Sequence, residues 1–223
     1  MYELIGNNYN LLLVITRFGI PLGVGEMTVQ EVCAKYNVHC PTLVAVLNYI
    51  SSPGTPVSTK LLATLSADAL VQYLHNSHHY FIKYKLASLR KQLQEAIAGG
   101  PKELNELLMK FFDDYTQEVH KHMGYEEKTV FPYVHTLQEH RASKYHISTF
   151  SRRHDNIEGK ISELKNILVK YYPDGTGYAL TAFLHDLFAV EEDLTSHNNL
   201  ENELFVPLIA YLEENQAAPE LPN

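Results

Sequence analysis

The chain has 223 residues, of which 45% are hydrophobic and 20% are charged, proportions typical of a globular protein. Its net charge of −8 disfavours nucleic acid as a partner, because phosphate binding depends on clustered lysines and arginines. There is no uninterrupted apolar stretch long enough to span a membrane, and the first residues lack the basic and apolar regions of a secretory signal. We therefore expect a soluble, cytoplasmic protein without a membrane partner.

Short helices are predicted in the N-terminal part of the chain. An apolar stretch over residues 9–15 is followed by a Gly/Pro-rich turn at 19–25. Thr28 is a predicted N-cap, and with Glu31 three residues later it forms a capping box for a helix that extends to about Tyr36.

A third short helix is predicted over residues 41–50, and it is followed by a break in composition at Ser51-Ser52-Pro53-Gly54-Thr55-Pro56. This stretch is the best linker candidate in the chain. We therefore predict a small helical N-terminal domain over residues 1–52 and a larger domain over residues 61–216.

The larger domain contains four long helical stretches separated by helix-breaking residues, among them Gly99-Gly100, Pro101 and Pro173. Helices of this length with short connections pack as antiparallel neighbours. The sequence thus predicts an all-α fold, an antiparallel four-helix bundle preceded by a small helical domain. The predicted helices span about 67–97, 101–139, 143–172 and 178–214.

Two helices carry the same His-x3-Glu unit, His122 with Glu126 and His197 with Glu201. Side chains at positions i and i+4 lie on one face of a helix, so each pair can reach a common metal ion. Each glutamate is also followed six residues later by a proline, Pro132 or Pro207. One such unit on an exposed face would most simply be a solvated pair, and its duplication is the informative observation.

A further histidine precedes each unit by 43 residues, His79 before His122 and His154 before His197. The repeat predicts two helical hairpins that direct four imidazoles and two carboxylates at the bundle centre. Six such donors are too many for one tetrahedral zinc and too rich in nitrogen for magnesium or calcium. They suit a pair of metal ions bridged by the two carboxylates.

These residues, within the stretch Glu118–Pro132 and around His154 and His197, resemble the hemerythrin-like (HHE) domain of the RIC family, the "repair of iron centres" di-iron proteins. The resemblance covers about 67–214. It implies two non-haem iron ions with oxo and carboxylate bridges, held by His79, His122, Glu126, His154, His197 and Glu201. His78 stays open as an alternative to His79, which is preferred because Leu86 and Leu89 follow it at the family's offsets.

The N-terminal residues also resemble that family's small domain, through Phe18-Gly19-Ile20 and residues 28–33. The family commonly has an adjacent Cys-Cys before a Gly pair, whereas this chain has Pro21-Leu22-Gly23-Val24-Gly25. The resemblance therefore does not extend to a thiol role for this domain. The two cysteines of the chain, Cys33 and Cys40, are interpreted as core thiols.

Other polar residues fit neither repeat. Glu118, one turn before His122, is interpreted either as a residue of the site, accepting a hydrogen bond from a ligand or gating the movement of iron or water, or as an exposed helical residue. His75 is interpreted as a residue that lies at the surface or contacts a ligand. The remaining histidines of the long helices and their connections are predicted to lie at the surface or to cap helices: His120, His135, His140, His146 and His185.

By resemblance, the expected function is protection against nitrosative or oxidative stress, in which the protein helps to repair iron–sulfur clusters by iron delivery or NO chemistry. Its partners would be iron–sulfur proteins or the gases NO and O2. The alternative is a non-catalytic sensor of O2, NO or iron, or an iron-binding protein of hemerythrin type. The sequence does not decide between these functions or whether the chain is an enzyme, and it leaves a homodimer open.

Overall fold

The computed structural model describes residues 1–151, 158–173 and 177–217, and within these residues every regular element is a helix. The α-helices are, in chain order, α1 (Tyr2–Asn7), α2 (Leu11–Arg17), α3 (Val29–Tyr36), α4 (Cys40–Ser51), α5 (Thr59–Leu62), α6 (Ala67–His79), α7 (Leu86–Ala96), α8 (Lys102–Tyr125), α9 (Phe131–Gln138), α10 (Ile147–Ser151), α11 (Glu158–Lys170), α12 (Tyr178–Leu200) and α13 (Val206–Ala217). Segments of π-helix join some of them without a break, at Tyr80–Lys85, Glu126–Val130 and Glu201–Phe205.

Helices α2, α3 and α4 lie close to the predicted positions of the three short helices, whereas α1 was not predicted. In α3 the Thr28 N–H donates to Glu31 Oε2 at 2.8 Å and the Glu31 N–H donates to Thr28 Oγ1 at 3.3 Å, which confirms the capping box. Asn37 ends this helix in the left-handed region at φ 54°, which asparagine tolerates better than most residues. The predicted break after residue 51 lies between α4 and α5.

The described residues divide into two compact units. The first consists of residues 1–77, 127–151 and 198–217, and the second of residues 78–126, 158–173 and 177–197. These units do not test the predicted domains at 1–52 and 61–216, because a domain is a part of the chain that folds independently. The division into domains stays a prediction.

In the first unit, the N-terminal helices pack together and against later parts of the chain. Helices α2 and α3 both contact α4, while α13 contacts α5, α9 and α10. The Tyr49 hydroxyl donates to Glu203 at 2.9 Å, and the Asn76 side chain donates to the carbonyl of Arg17 at 2.7 Å. The N-terminal helices are thus fixed to the chain beyond residue 60 by specific hydrogen bonds.

The second unit contains four helical segments around one hydrophobic core. Its members come from α7 with the preceding π-helix, from α8, from α11 and from α12, and the apolar stripe of each helix faces the others. Buried core residues include Phe81, Leu86, Leu89, Leu93, Phe112, Tyr115, Val119, Ile161, Leu164, Leu168, Phe183, Leu187 and Val190.

Side-chain pairs link neighbouring helices of this unit, and those between α8 and the α11 region show that these two helices run antiparallel. Between α8 and α11, Asn105 bonds to Tyr172 at one end and Glu118 pairs with Lys160 further along, so the numbering rises on one helix as it falls on the other. Arg90 of α7 pairs with Asp113 of α8 at 2.7 Å, and Gln92 of α7 donates to Asp186 of α12 at 2.9 Å. The predicted all-α, antiparallel four-helix bundle is confirmed.

Candidate metal centre

Glu126 is placed in the bundle interior by the periodicity of α8. Phe112, Tyr115, Val119 and Met123 are all buried, at spacings of three and four residues along this helix. Glu126 comes three residues after Met123, so the apolar stripe ends in a carboxylate that is fully buried. His122, one turn earlier, lies beside the stripe with 9% of its side chain exposed.

Two of the π-helical segments begin at a glutamate of the repeat, Glu126 or Glu201. Each segment ends two residues before a proline. Pro132 and Pro207 have no N–H to donate, and their rings would clash with the carbonyl four residues earlier in an α-helix. A wider turn relieves that clash, and π-bulges of this kind occur often at functional sites. The prolines therefore account for the local geometry that follows each glutamate.

Two histidines contact the Glu126 carboxylate, one at each oxygen. His78 Nε2 lies 2.8 Å from Glu126 Oε2, and His122 Nε2 lies 2.9 Å from Glu126 Oε1. The His78 side chain is 3% exposed and that of Glu126 is fully buried. An imidazole from α6 and another from α8 thus converge on one carboxylate away from bulk water.

His197 of α12 faces His78. Its ring centroid lies 5.2 Å from that of His78 with the ring planes at 70°, and Phe81 packs edge-on against it at 5.8 Å. Phe81 is fully buried, so its ring excludes water from one side of His197.

Among the described residues, a group suited to hold a metal ion consists of His78, Glu126, His197 and Glu201. One ligand atom from each lies within 4.8 Å of the ligand atoms of the other three, and all four residues are buried. Glu201 follows His197 by one helical turn, as the His-x3-Glu repeat predicts.

The donor set fits a transition metal. Imidazole nitrogens and carboxylate oxygens suit iron, zinc, copper or nickel, whereas magnesium and calcium prefer shells of oxygen. The nitrogens of His78 and His122 lie 2.8 and 2.9 Å from the two Glu126 oxygens, so these three side chains could contact the same ion. Two buried carboxylates also cost several kcal/mol unless positive charge compensates them, and a bound cation supplies that charge.

The structure differs from the sequence prediction at the first histidine. His79 is solvent-exposed, and it is His78 that is buried and joins the group. Helical periodicity agrees with His78, since Leu70 and Leu74 precede it on the buried face at intervals of four residues. The choice of His79 is therefore corrected to His78.

The π-helical segment Tyr80–Lys85 explains why His79 was preferred. Counting back two α-helical turns from the buried Leu86 leads to His79. A π-turn holds an additional residue, and the buried positions Phe81 and Leu86 are accordingly five apart. The equal spacing of 43 residues is lost with this correction, because His78 precedes His122 by 44.

The other predicted positions are distributed as follows. His154 lies outside the described residues, so its role as a ligand stays a prediction. Glu118 is exposed and forms an ion pair with Lys160. His75 is also exposed, with its Nδ1 2.9 Å from Glu127 Oε2. The five histidines predicted to be at the surface are all exposed: His120, His135, His140, His146 and His185.

One comparison with known protein families found a match that includes the residues of this site. The family model of the hemerythrin HHE cation-binding domain matches residues 69–209, which include His78, His122, Glu126, His197 and Glu201. No curated protein and no solved structure matches the chain. In the part of the chain that the structure describes, no helix is both long and apolar enough to cross a membrane.

Proposed function

This chain belongs to the hemerythrin HHE cation-binding domain family, and from that premise we propose that it is a di-iron protein that protects against nitrosative and oxidative stress. In this proposal it helps to restore damaged iron–sulfur clusters in the cytoplasm, by iron delivery or by NO chemistry. The observation that carries the proposal is the buried group of His78, Glu126, His197 and Glu201.

The proposed ligands are two histidines and one glutamate from each helical hairpin. His122 belongs to the set because it contacts the same carboxylate as His78. His154 precedes His197 by 43 residues, and we propose it as the ligand of the second hairpin that corresponds to His78 in the first. The two carboxylates, Glu126 and Glu201, would bridge the irons.

A mixed shell of nitrogen and oxygen ligands supports cycling between Fe(II) and Fe(III) and lets the metal pair bind NO, O2 or peroxide. The protein's own contribution is to hold the ligands and to exclude water. Glu126 and Glu201 are fully buried, and Phe81 covers one side of His197. The two carboxylates therefore lie in an interior of low dielectric constant. There they would attract a bound cation more strongly than they would in water.

Repair of iron–sulfur clusters is supported by the resemblance of this ligand pattern to the RIC family. The N-terminal domain lacks the Cys pair that is common in that family, having Pro21-Leu22-Gly23-Val24-Gly25 in its place. We therefore assign the activity to the metal centre of the bundle and not to the thiols.

The test is restoration of activity to an iron–sulfur enzyme that has been inactivated by NO. We expect the iron-loaded protein to restore activity, the variant Glu126→Ala to lose most of this effect, and a Cys33→Ser/Cys40→Ser variant to retain it. The exposed neighbour of the site supplies a matched control, because His79→Ala should repair as well as the unmodified chain.

Failure would take a recognisable form. An intact, iron-loaded protein that binds O2 or NO reversibly, retains its iron throughout and restores nothing would contradict repair and favour the sensor. Equal loss of repair in Glu126→Ala and in Cys33→Ser/Cys40→Ser would contradict the assignment to the metal centre.

A further inference from the structure

The two cysteines of the chain lie at a tight turn between two packed helices. Cys33 is in the last turns of α3 and Cys40 is the first residue of α4, and these helices contact each other. The Val38 N–H donates to the Cys33 carbonyl at 2.9 Å, so the chain folds back on the end of α3 directly before Cys40. The two thiols are close enough to interact, and this interaction contributes to the raised pKa of Cys33.

The two thiols differ in their access to solvent. Cys33 is 3% exposed, which confirms the prediction of a core thiol, whereas Cys40 is only partly buried. Burial raises the pKa of the Cys33 thiol to about 12, and the interaction with Cys40 adds to this effect. Cys40 is the first residue of the 12-residue helix α4.

We propose that Cys33 and Cys40 form a reversible intramolecular disulfide by exchange with a low-molecular-weight disulfide such as oxidised glutathione. Cys40 is the thiol that an external disulfide can reach, and Cys33 is the buried thiol that resolves the intermediate. This modification site is independent of the metal centre, since neither cysteine belongs to the proposed ligands.

The reaction proceeds in two exchanges. Cys40 loses its proton and its sulfur attacks one sulfur of oxidised glutathione, so that the S–S bond breaks and one glutathione thiolate leaves and takes up a proton. Cys33 then loses its proton to solvent and attacks the Cys40 sulfur, and the second glutathione leaves in the same way. Two protein thiols are oxidised and one glutathione disulfide is reduced to two glutathione molecules.

The experiment exposes the full-length, folded protein to excess oxidised glutathione and measures its mass without reduction. We expect the mass to fall by two hydrogen atoms and to be restored by a dithiol reductant. Lys35 is the one lysine or arginine between the two cysteines, so trypsin cleaves between them. The unreduced digest should therefore contain the peptides 18–35 and 36–60 linked to each other.

Single variants test the order of the two exchanges. Cys33→Ser should accumulate a glutathione adduct at Cys40, because the resolving thiol is absent, and Cys40→Ser should stay unmodified over the same time, because Cys33 is buried. A glutathione adduct that persists on the unmodified chain, a disulfide-linked dimer, or no change in mass would each overturn the proposal. The linked tryptic peptides decide the matter even where a variant fails to fold.

Discussion

His78 and His79 are neighbours in the chain with opposite surroundings, since one is buried against Glu126 and the other is exposed to solvent. We predict that His78→Ala removes most of the bound metal, because it deletes an imidazole that lies 2.8 Å from the carboxylate. His79→Ala should leave the metal content unchanged, because its side chain faces solvent. Metal analysis of the purified variants measures the difference.

Both substitutions place alanine at the C-terminal end of the same helix, so their effects on helix propensity are equal and the pair is a matched control. Greater metal loss in His79→Ala than in His78→Ala would contradict the assignment of the first ligand.

Glu126 and Glu118 provide a second comparison at the residue scale, since both are glutamates near His122. We predict that Glu126→Gln lowers the metal content strongly, because a neutral amide replaces a fully buried carboxylate that contacts two histidines. Glu118→Gln should retain metal, because Glu118 is exposed and paired with Lys160, and exposed pairs contribute about 0–1 kcal/mol. Metal content and helicity by circular dichroism are measured together.

Equal metal loss in both glutamate variants, with helicity unchanged, would show that Glu118 contributes to the site, which was one of the two interpretations of this residue from the sequence.

At this scale the two His-x3-Glu units could be recognised from the sequence, because fixed i, i+4 spacing on a helix needs no knowledge of the tertiary fold. Their role as metal ligands stays a prediction. His78 was kept only as the alternative because the offsets of Leu86 and Leu89 were given more weight than the buried stripe Leu70, Leu74, His78. The stripe is the better guide, since the π-helical segment Tyr80–Lys85 holds an additional residue and shifts the positions counted back from Leu86 by one.

At the scale of elements, the junction between α7 and α8 depends on Gly100. A Cβ atom there would lie 1.9 Å from the Tyr172 hydroxyl, which donates to the Ile97 carbonyl at 3.0 Å and also bonds to Asn105. We predict that Gly100→Ala displaces this hydroxyl and lowers the free energy of unfolding by about 1–3 kcal/mol, the usual effect of leaving a polar group without its partner. Denaturant titration of the unfolding transition measures the loss.

The adjacent Gly99 is the control for that prediction, because a Cβ atom there meets no other atom within 4 Å. Gly99→Ala should therefore cause a clearly smaller change. The role given to the Tyr172 hydroxyl would be refuted if the two alanine variants had the same stability.

Helix boundaries were largely predictable because breakers and caps act locally. Thr28 with Glu31 begins α3, and Gly99-Gly100 with Pro101 separates α7 from α8. The π-helical segments were not predicted. Each shifts the pattern of apolar residues by only one position, and so small a shift is hard to distinguish from an uninterrupted α-helix in the sequence. Pro132 and Pro207 were a usable signal for two of them, whereas Tyr80–Lys85 contains no proline.

At the scale of the whole molecule, metal binding should stabilise the fold. The candidate ligands come from α6, α12 and two π-helical segments, so the unfolded chain does not hold them together. A ligand at 100 times its Kd that binds only the folded state adds about 2.7 kcal/mol to the free energy of unfolding. We predict that a chelator lowers the Tm of the unmodified protein, and that restored Fe(II) raises it again.

The variant His78→Ala should show little of this response to chelator and iron. A Tm that is the same with and without metal in the unmodified protein would contradict a metal site in the bundle interior.

The fold class was predictable because four long amphipathic stretches with short connections admit few other arrangements. The packing of the N-terminal helices was not, since the hydrogen bonds from Tyr49 to Glu203 and from Asn76 to Arg17 join residues that are far apart in the sequence. Local patterns carry no information about such contacts.

The proposed function requires that the bundle hold a pair of iron ions. Metal analysis combined with Mössbauer spectroscopy, on full-length protein purified without oxygen, tests it most directly. We predict about two iron ions per chain with the spectrum of a coupled di-iron centre, since two histidines and one glutamate are proposed as ligands from each helical hairpin. A single tightly bound metal per chain, or zinc alone after native purification, would contradict this account.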